Sequence, residues 1–154
     1  MQTDGRQQEI GRLFEQESAK LWRSLLLHTA DAEVAGDATA EAFAQLLRRG
    51  DAVRDPKAWV WCAAFRIADG ELARRRSIPH EHAGSYEMPE PAFDLARALA
   101  QLPATQRRAV VLHHLGDLPV ADIAAVMGTS RSAVAVHLHR GRKRLRDLLE
   151  TSDD

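Results

Sequence analysis

Residues 118–145 read LPVADIAAVMGTSRSAVAVHLHRGRKRL, and the fold turns on how this stretch is parsed. A short apolar run, Val120 to Met127, follows Pro119, which suits the first turn of a helix. Gly128 then supplies the positive φ that a tight turn between two helices demands. Ser130 is a good N-cap for a second, longer helix. The small Ala124 lets the two helices approach, while Ile123, Val134 and Leu138 are spaced to fill the gap between them. These requirements are met together, which predicts a helix-turn-helix. Its second helix is suited to the major groove, with its N-terminal residues against base edges. The basic run Arg140-Gly141-Arg142-Lys143-Arg144 is suited to phosphates.

Working outward, the 154 residues allow one domain or two small ones. The balance of 45% hydrophobic and 28% charged residues fits a folded chain and excludes a disordered one. Abundant Ala, Leu and Arg favour helices. The single cysteine, Cys62, cannot form an internal disulfide, no apolar run reaches the length of a membrane span, and no signal-peptide pattern opens the sequence. A cytoplasmic protein is expected.

The net charge of −1 at first argues against a nucleic-acid partner, but its distribution does not. Residues 1–76 are balanced, with 12 bases and 12 acids. Residues 77–96 hold four acids and no base, and residues 97–154 hold nine bases against six acids. The basic charge is concentrated between Arg131 and Arg146.

Apolar periodicity predicts helices over about 7–28, 31–49 and from Pro56 to Arg76. Asp31 stands as N-cap of the second, and Arg48-Arg49-Gly50 closes it. Residues 77–91 (SIPHEHAGSYEMPEP) carry three prolines and no periodicity, which marks a linker. Further helices are expected over about 92–101, 104–115, 119–127 and 130–149. The fold class is therefore all-α, with two small helical domains over 7–76 and 93–150 joined by a flexible linker over 77–92.

The stretch Leu99-Ala100-Gln101-Leu102-Pro103 through Leu112 resembles the pattern "L-x-x-L-P-x-x-x-R-x-V-x-x-L" that opens region 4 of the sigma-70 family of RNA polymerase sigma factors. Leu118-Pro119-Val120-Ala121-Asp122-Ile123-Ala124 is similar to that family's "L-S-x-x-E-I-A", and Leu138 to Leu145 resembles "L-x-R-G-R-x-x-L". Asp37 to Phe43 resembles "D-x-x-Q-E-x-F" of sigma region 2, and Trp59-Val60-Trp61 through Arg76 resembles the region-2 helix that binds and opens the downstream promoter element. With no room for further sigma regions, the chain is identified as a member of the extracytoplasmic-function (ECF, group 4) type. The resemblance implies a sigma factor that binds core RNA polymerase at the clamp of the largest subunit and at the beta-subunit flap, and directs promoter recognition and transcription initiation. It also admits an anti-sigma partner.

On that resemblance, Asp37, Glu41 and Phe43 carry polymerase binding. Trp59, Trp61, Arg66, Arg74, Arg75 and Arg76 carry the downstream element. Ser130, Arg131, Ser132, Ala135, Val136, His139, Arg140, Lys143 and Arg144 carry the upstream element. Four positions depart from the family pattern. Ala40 replaces a Gln, Arg66 replaces an Asn, and Ala135 and Val136 replace polar contact residues. The last two either weaken upstream-element readout or shift it toward thymine methyl groups.

No catalytic triad, paired carboxylates, phosphate loop or metal-binding motif is present, so no reaction, cofactor or metal is expected. His80-Glu81-His82 lies in the linker, without partners at ligand spacing. Two other functions compete. One is a conventional dimeric helix-turn-helix regulator, which protects a palindrome by itself. The other is a helical adaptor without DNA binding.

Overall fold

The computed structural model describes residues 2–76 and 90–152, with side chains over 4–75 and 94–151. The chain divides into two compact units, 1–84 and 85–154. Every regular element among the described residues is helical, which bears out the all-α expectation. Residues 77–89, most of the expected linker, lie outside the described residues, His80 and His82 among them.

The first unit holds α1 (Gln2–Thr29), α2 (Ala32–Arg49), a 3-10 turn (Gly50–Ala52) and α3 (Pro56–Arg76). α1 starts five residues before the expected position. The reason is Arg6, whose guanidinium donates to the Val53 carbonyl at 2.9 Å and to Asp51 at 3.2 Å, tying the first turns to the loop after α2. Asp31 caps α2, its Oδ1 accepting from the Val34 N–H at 3.0 Å. The helix closes on Gly50 at φ 54°, whose N–H reaches the Leu46 carbonyl. α3 opens on Pro56, with the Asp55 carboxylate accepting from the Ala58 N–H.

Alanines 35, 38, 42, 63, 64 and 68 are all buried and let these helices approach closely around Leu21, Leu25, Leu46, Trp61 and Phe65. Trp61 and Phe65 stack with centroids 6.3 Å apart. His28 is buried beside Phe65, and its Nε2 meets Asp69 Oδ1 at 3.0 Å, which joins α1 to α3.

The second unit holds α4 (Glu90–Ala100), α5 (Ala104–His114), α6 (Val120–Met127) and α7 (Arg131–Ser152). Pro119 occupies the cap of α6 at φ −67°, ψ 155°, one place outside the first turn where the sequence suggested it. Leu99, Leu112, Leu118, Ile123 and Val134 form the core. Gly141 is buried in the middle of α7 where α5 crosses it. A Cβ there would lie 2.8 Å from Val110 Cγ2 and 3.3 Å from the Gln106 carbonyl oxygen. Glycine is a poor helix former, so its presence mid-helix reflects this close approach.

Candidate nucleic-acid interface

The angle between α6 and α7 is fixed by backbone hydrogen bonding around Gly128. Gly128 is left-handed (φ 65°, ψ 39°); its N–H reaches Ala125 and the Thr129 N–H reaches Ala124 at 3.0 Å. That pair of bonds is a Schellman motif, which satisfies the last carbonyls of α6. Ser130 Oγ then accepts from the Ala133 N–H at 3.1 Å and starts α7. Ile123, Ala124, Val134 and Leu138 are buried between the two helices, as their spacing suggested.

At 100° per residue, burying Val134, Leu138 and Gly141 turns Ser132, Val136, His139 and Lys143 to the opposite side. Ser130, Arg131, Ser132, Ala135, Val136, His139, Arg140, Lys143 and Arg144 are all exposed, Ser132, Val136, His139, Arg140 and Lys143 on the side away from the core and Arg131, Ala135 and Arg144 on its flanks. Arg131, Arg140, Lys143 and Arg144 form no ion pair among the described residues. Such unneutralised cations set an attractive field for a polyanion.

Arg142 sits in the same basic run but is committed elsewhere. Its Nε donates to His114 Nε2 at 2.9 Å, locking α7 to the end of α5. Loss of solvent at that contact, then the Arg142 charge, then His113 hold the His114 imidazole below its ordinary pKa, in the neutral form that can accept this bond. Beside it lies an open groove of about 560 Å³, walled by Leu95, Leu99, Val110, Leu115, Leu145 and Leu149, with His139 and Arg146 also lining it. In the sequence its walls are marked only by the pairs Leu95/Leu99 and Leu145/Leu149 at helical i,i+4 spacing.

In the first unit the expected residues separate by depth. Asp37 and Glu41 are exposed on α2, and Glu41 accepts from Gln45 at 3.1 Å and from Arg48 at 3.0 Å. Those bonds, that of Gln45 first, hold its carboxyl below the usual range. Phe43 points the other way. It is buried edge-on against Phe14 at 5.0 Å, so it shapes α2 and offers no contact surface.

Trp59 is half-buried, one indole face covered by the Arg49 guanidinium at 5.4 Å. Trp61 is 0% exposed and cannot meet a base without opening the core, which removes it from the stacking candidates. Arg66 is exposed, with a contact to Cys62 Sγ at 3.4 Å. Arg74 bonds to Glu71. Arg75 is mostly covered and reaches Asp31 at 2.9 Å, Glu33 at 3.4 Å and Glu71 at 3.2 Å. It therefore ties the end of α3 to the cap of α2, and three carboxylates compete with any phosphate for it. The side chain of Arg76 lies outside the described residues.

Among the described residues no group of three His, Cys, Asp or Glu side chains is placed to hold a metal, and no helix is long and apolar enough to cross a membrane.

Residues 92–145 match the family model "Sigma-70, region 4". The chain is 29% identical over 154 residues to "ECF RNA polymerase sigma factor SigL" of Mycobacterium tuberculosis, covering 90% of this chain and 87% of that protein. It is 32% identical over 111 residues to "ECF RNA polymerase sigma factor SigF" of Caulobacter vibrioides, covering 67% of this chain and 62% of that one. Among solved structures, the sigma factor RpoE of Bartonella quintana, crystallised with the anti-sigma factor NepR, shares the fold. Its TM-score is 0.78 at 19% identity, over 92% of this chain and 97% of that one.

Proposed function

The chain belongs to the extracytoplasmic-function group of the sigma-70 family, and we propose that its two helical units divide promoter recognition between them. It is a sigma factor that binds core RNA polymerase and promoter DNA and directs transcription initiation. The division of labour is our reading. The first unit (7–76) takes core polymerase on the exposed acidic side of α2, through Asp37 and Glu41. It takes the downstream element through Trp59, Arg66 and Arg74. The second unit (93–150) takes the upstream element on α7, through Ser130, Arg131, Ser132, Ala135, Val136, His139, Arg140, Lys143 and Arg144.

The observation that carries this reading is the exposed face of α7. Four cations without ion-pair partners among the described residues, Arg131 before Val136 and Arg140, Lys143 and Arg144 after it, stand on a helix whose presentation is fixed by Gly128 and Ser130. Phosphate contacts from such cations supply affinity, and side chains in the first turns supply sequence readout. Joining two weak DNA-binding modules raises the effective concentration of each at the promoter. We assign the chain no reaction of its own and place it in the cytoplasm with its polymerase. An anti-sigma protein of the kind bound to the Bartonella relative is a further expected partner.

Run-off transcription with purified core polymerase tests the proposal. The chain is expected to bind promoter DNA weakly alone and to direct specific transcripts once core polymerase is added. A homodimer that protects a palindromic site unaided, with no effect on core polymerase, would replace this reading with that of a conventional regulator. Failure to bind DNA either alone or with core would leave the adaptor reading.

A further inference from the structure

Three large apolar side chains are exposed among the described residues, and one of them stands in the middle of the basic face of α7. Val136 is 44% exposed, Phe14 and Leu47 in the first unit being the other two. Its surroundings are polar or cationic. Ser132 and Arg140 lie one turn before and after it, His139 is three residues on, and Lys143 follows on the same outward side. A β-branched residue loses rotamer freedom in a helix and is a poorer helix former than alanine. At a position this exposed, packing within the unit offsets little of that loss. What valine provides there is two methyl groups held in essentially one rotamer, with no donor or acceptor.

Resting on the promoter-binding reading above, we propose that Val136 is a specificity-determining residue that selects a thymine in the upstream element by contact with its C5-methyl group. In the major groove only thymine presents a methyl; the purines present oxygen or nitrogen atoms there, and cytosine an amino group beside a bare C5–H. Valine cannot bond to those atoms, and covering them leaves them unsatisfied. It therefore discriminates against them as well as favouring thymine. The neighbouring cations make an apolar protein surface a poor alternative partner for this side chain and a phosphodiester backbone a good one. Arg140, one turn further along, has the guanidinium that guanine O6 and N7 accept in bidentate fashion. Four helical residues advance about 6 Å, and successive base pairs are about 3.4 Å apart, so the selected thymine lies within about two base pairs of the base that Arg140 meets.

The test uses the full chain in complex with core polymerase. Duplexes are first selected by this holoenzyme from a random library. Each thymine of the upstream element is then replaced singly by deoxyuridine, which removes only the methyl. One such replacement is expected to weaken binding about fourfold, the equivalent of burying one methyl or methylene group. Val136→Ser should weaken binding to the parent duplex by a similar factor and be indifferent to that replacement. Because Val136 is exposed, the variant should keep the helical spectrum and core affinity of the parent.

Two results would overturn the assignment. Either no thymine is sensitive to loss of its methyl, or the sensitivity persists undiminished in Val136→Ser; persistence there with loss in Ala135→Gly would move the contact to the neighbouring residue. A holoenzyme that selects no sequence would remove the promoter-binding reading itself, an outcome distinct from selection without methyl sensitivity.

Discussion

Gly141→Ala isolates the contact on which the placement of α7 depends. In an open helix this change should stabilise by about 0.8–1 kcal/mol, because glycine loses more backbone entropy than alanine. Here the new methyl would fall 2.8 Å from Val110 Cγ2, against the roughly 3.5–4.0 Å of an ordinary carbon–carbon contact. Val110 is buried and β-branched, so it cannot swing aside, and the Gln106 carbonyl at 3.3 Å closes a second direction. Overpacking of this kind costs about 1–3 kcal/mol. The two effects leave a net destabilisation near 1 kcal/mol, which for a unit of this size lowers the melting temperature by about 4–8 °C.

Thermal and urea unfolding followed by far-ultraviolet circular dichroism measure it. The double variant Val110→Ala/Gly141→Ala, in which the clashing methyl is gone, should show a favourable coupling of about 1 kcal/mol. Promoter-dependent transcription should fall in the single variant and recover in part in the double one, if the clash displaces the helix proposed to meet DNA. A Gly141→Ala protein more stable than the parent by the helix-propensity increment would refute the close approach of α5 and α7.

Other substitutions separate effects that coincide at one side chain. Asp31→Ala removes both the cap of α2 and the partner of Arg75 and should cost about 0.5–2 kcal/mol. Asp31→Asn keeps the cap, so its smaller loss, within about 0–1 kcal/mol, measures the ion pair alone in urea titrations. His114 binds its proton less readily in the folded state, so the stability it contributes is complete above its ordinary pKa of 6.5 and is lost as pH falls from there through its lower folded-state value. Unfolding midpoints measured between about pH 8 and pH 5 should fall for the parent and fall less for His114→Gln, which can still accept from Arg142. Reversing Asp37 and Glu41 together to Lys should abolish core polymerase binding in pull-down while leaving the helical spectrum intact; unchanged binding would refute the assignment of α2.

Most helix boundaries were legible because their determinants are local. Asp31, Gly50, Gly128 and Ser130 act on hydrogen bonds within a turn of themselves, and each stands in the structure as its residue type suggests. The face of α3 was not legible. Trp59, Val60, Trp61, Ala63, Ala64, Phe65, Ile67 and Ala68 leave almost no polar side to orient it, so periodicity could not say which tryptophan turns inward. Packing against α1 and α2 decides the matter, and it buries Trp61. Arg75 shows the same limit for charge. In sequence it is one of three adjacent arginines, and only the tertiary approach of α2 gives it Asp31 and Glu33.

The basic run of α7 carries that limit into function. Counting charges makes Arg140, Arg142, Lys143 and Arg144 equivalent, yet two residues along a helix is a rotation of about 200°, and a single step is about 100°. Arg142 consequently faces His114, whereas Arg140 and Lys143 face outward. If affinity for DNA followed the number of cations, each of these residues would contribute alike to its salt dependence. If it follows their direction, Arg144→Ala should lower the slope of log K against log salt by about 0.9, one phosphate contact. Arg142→Ala should instead leave the slope unchanged and lower the stability of the second unit. Arg140→Ala should cost about 1–3 kcal/mol on the selected duplex and far less on others, since a base contact discriminates between sequences and a phosphate contact does not. Equal slopes for all three variants, measured with holoenzyme on one duplex, would return α7 to a uniformly charged rod and undo the distinction between its faces.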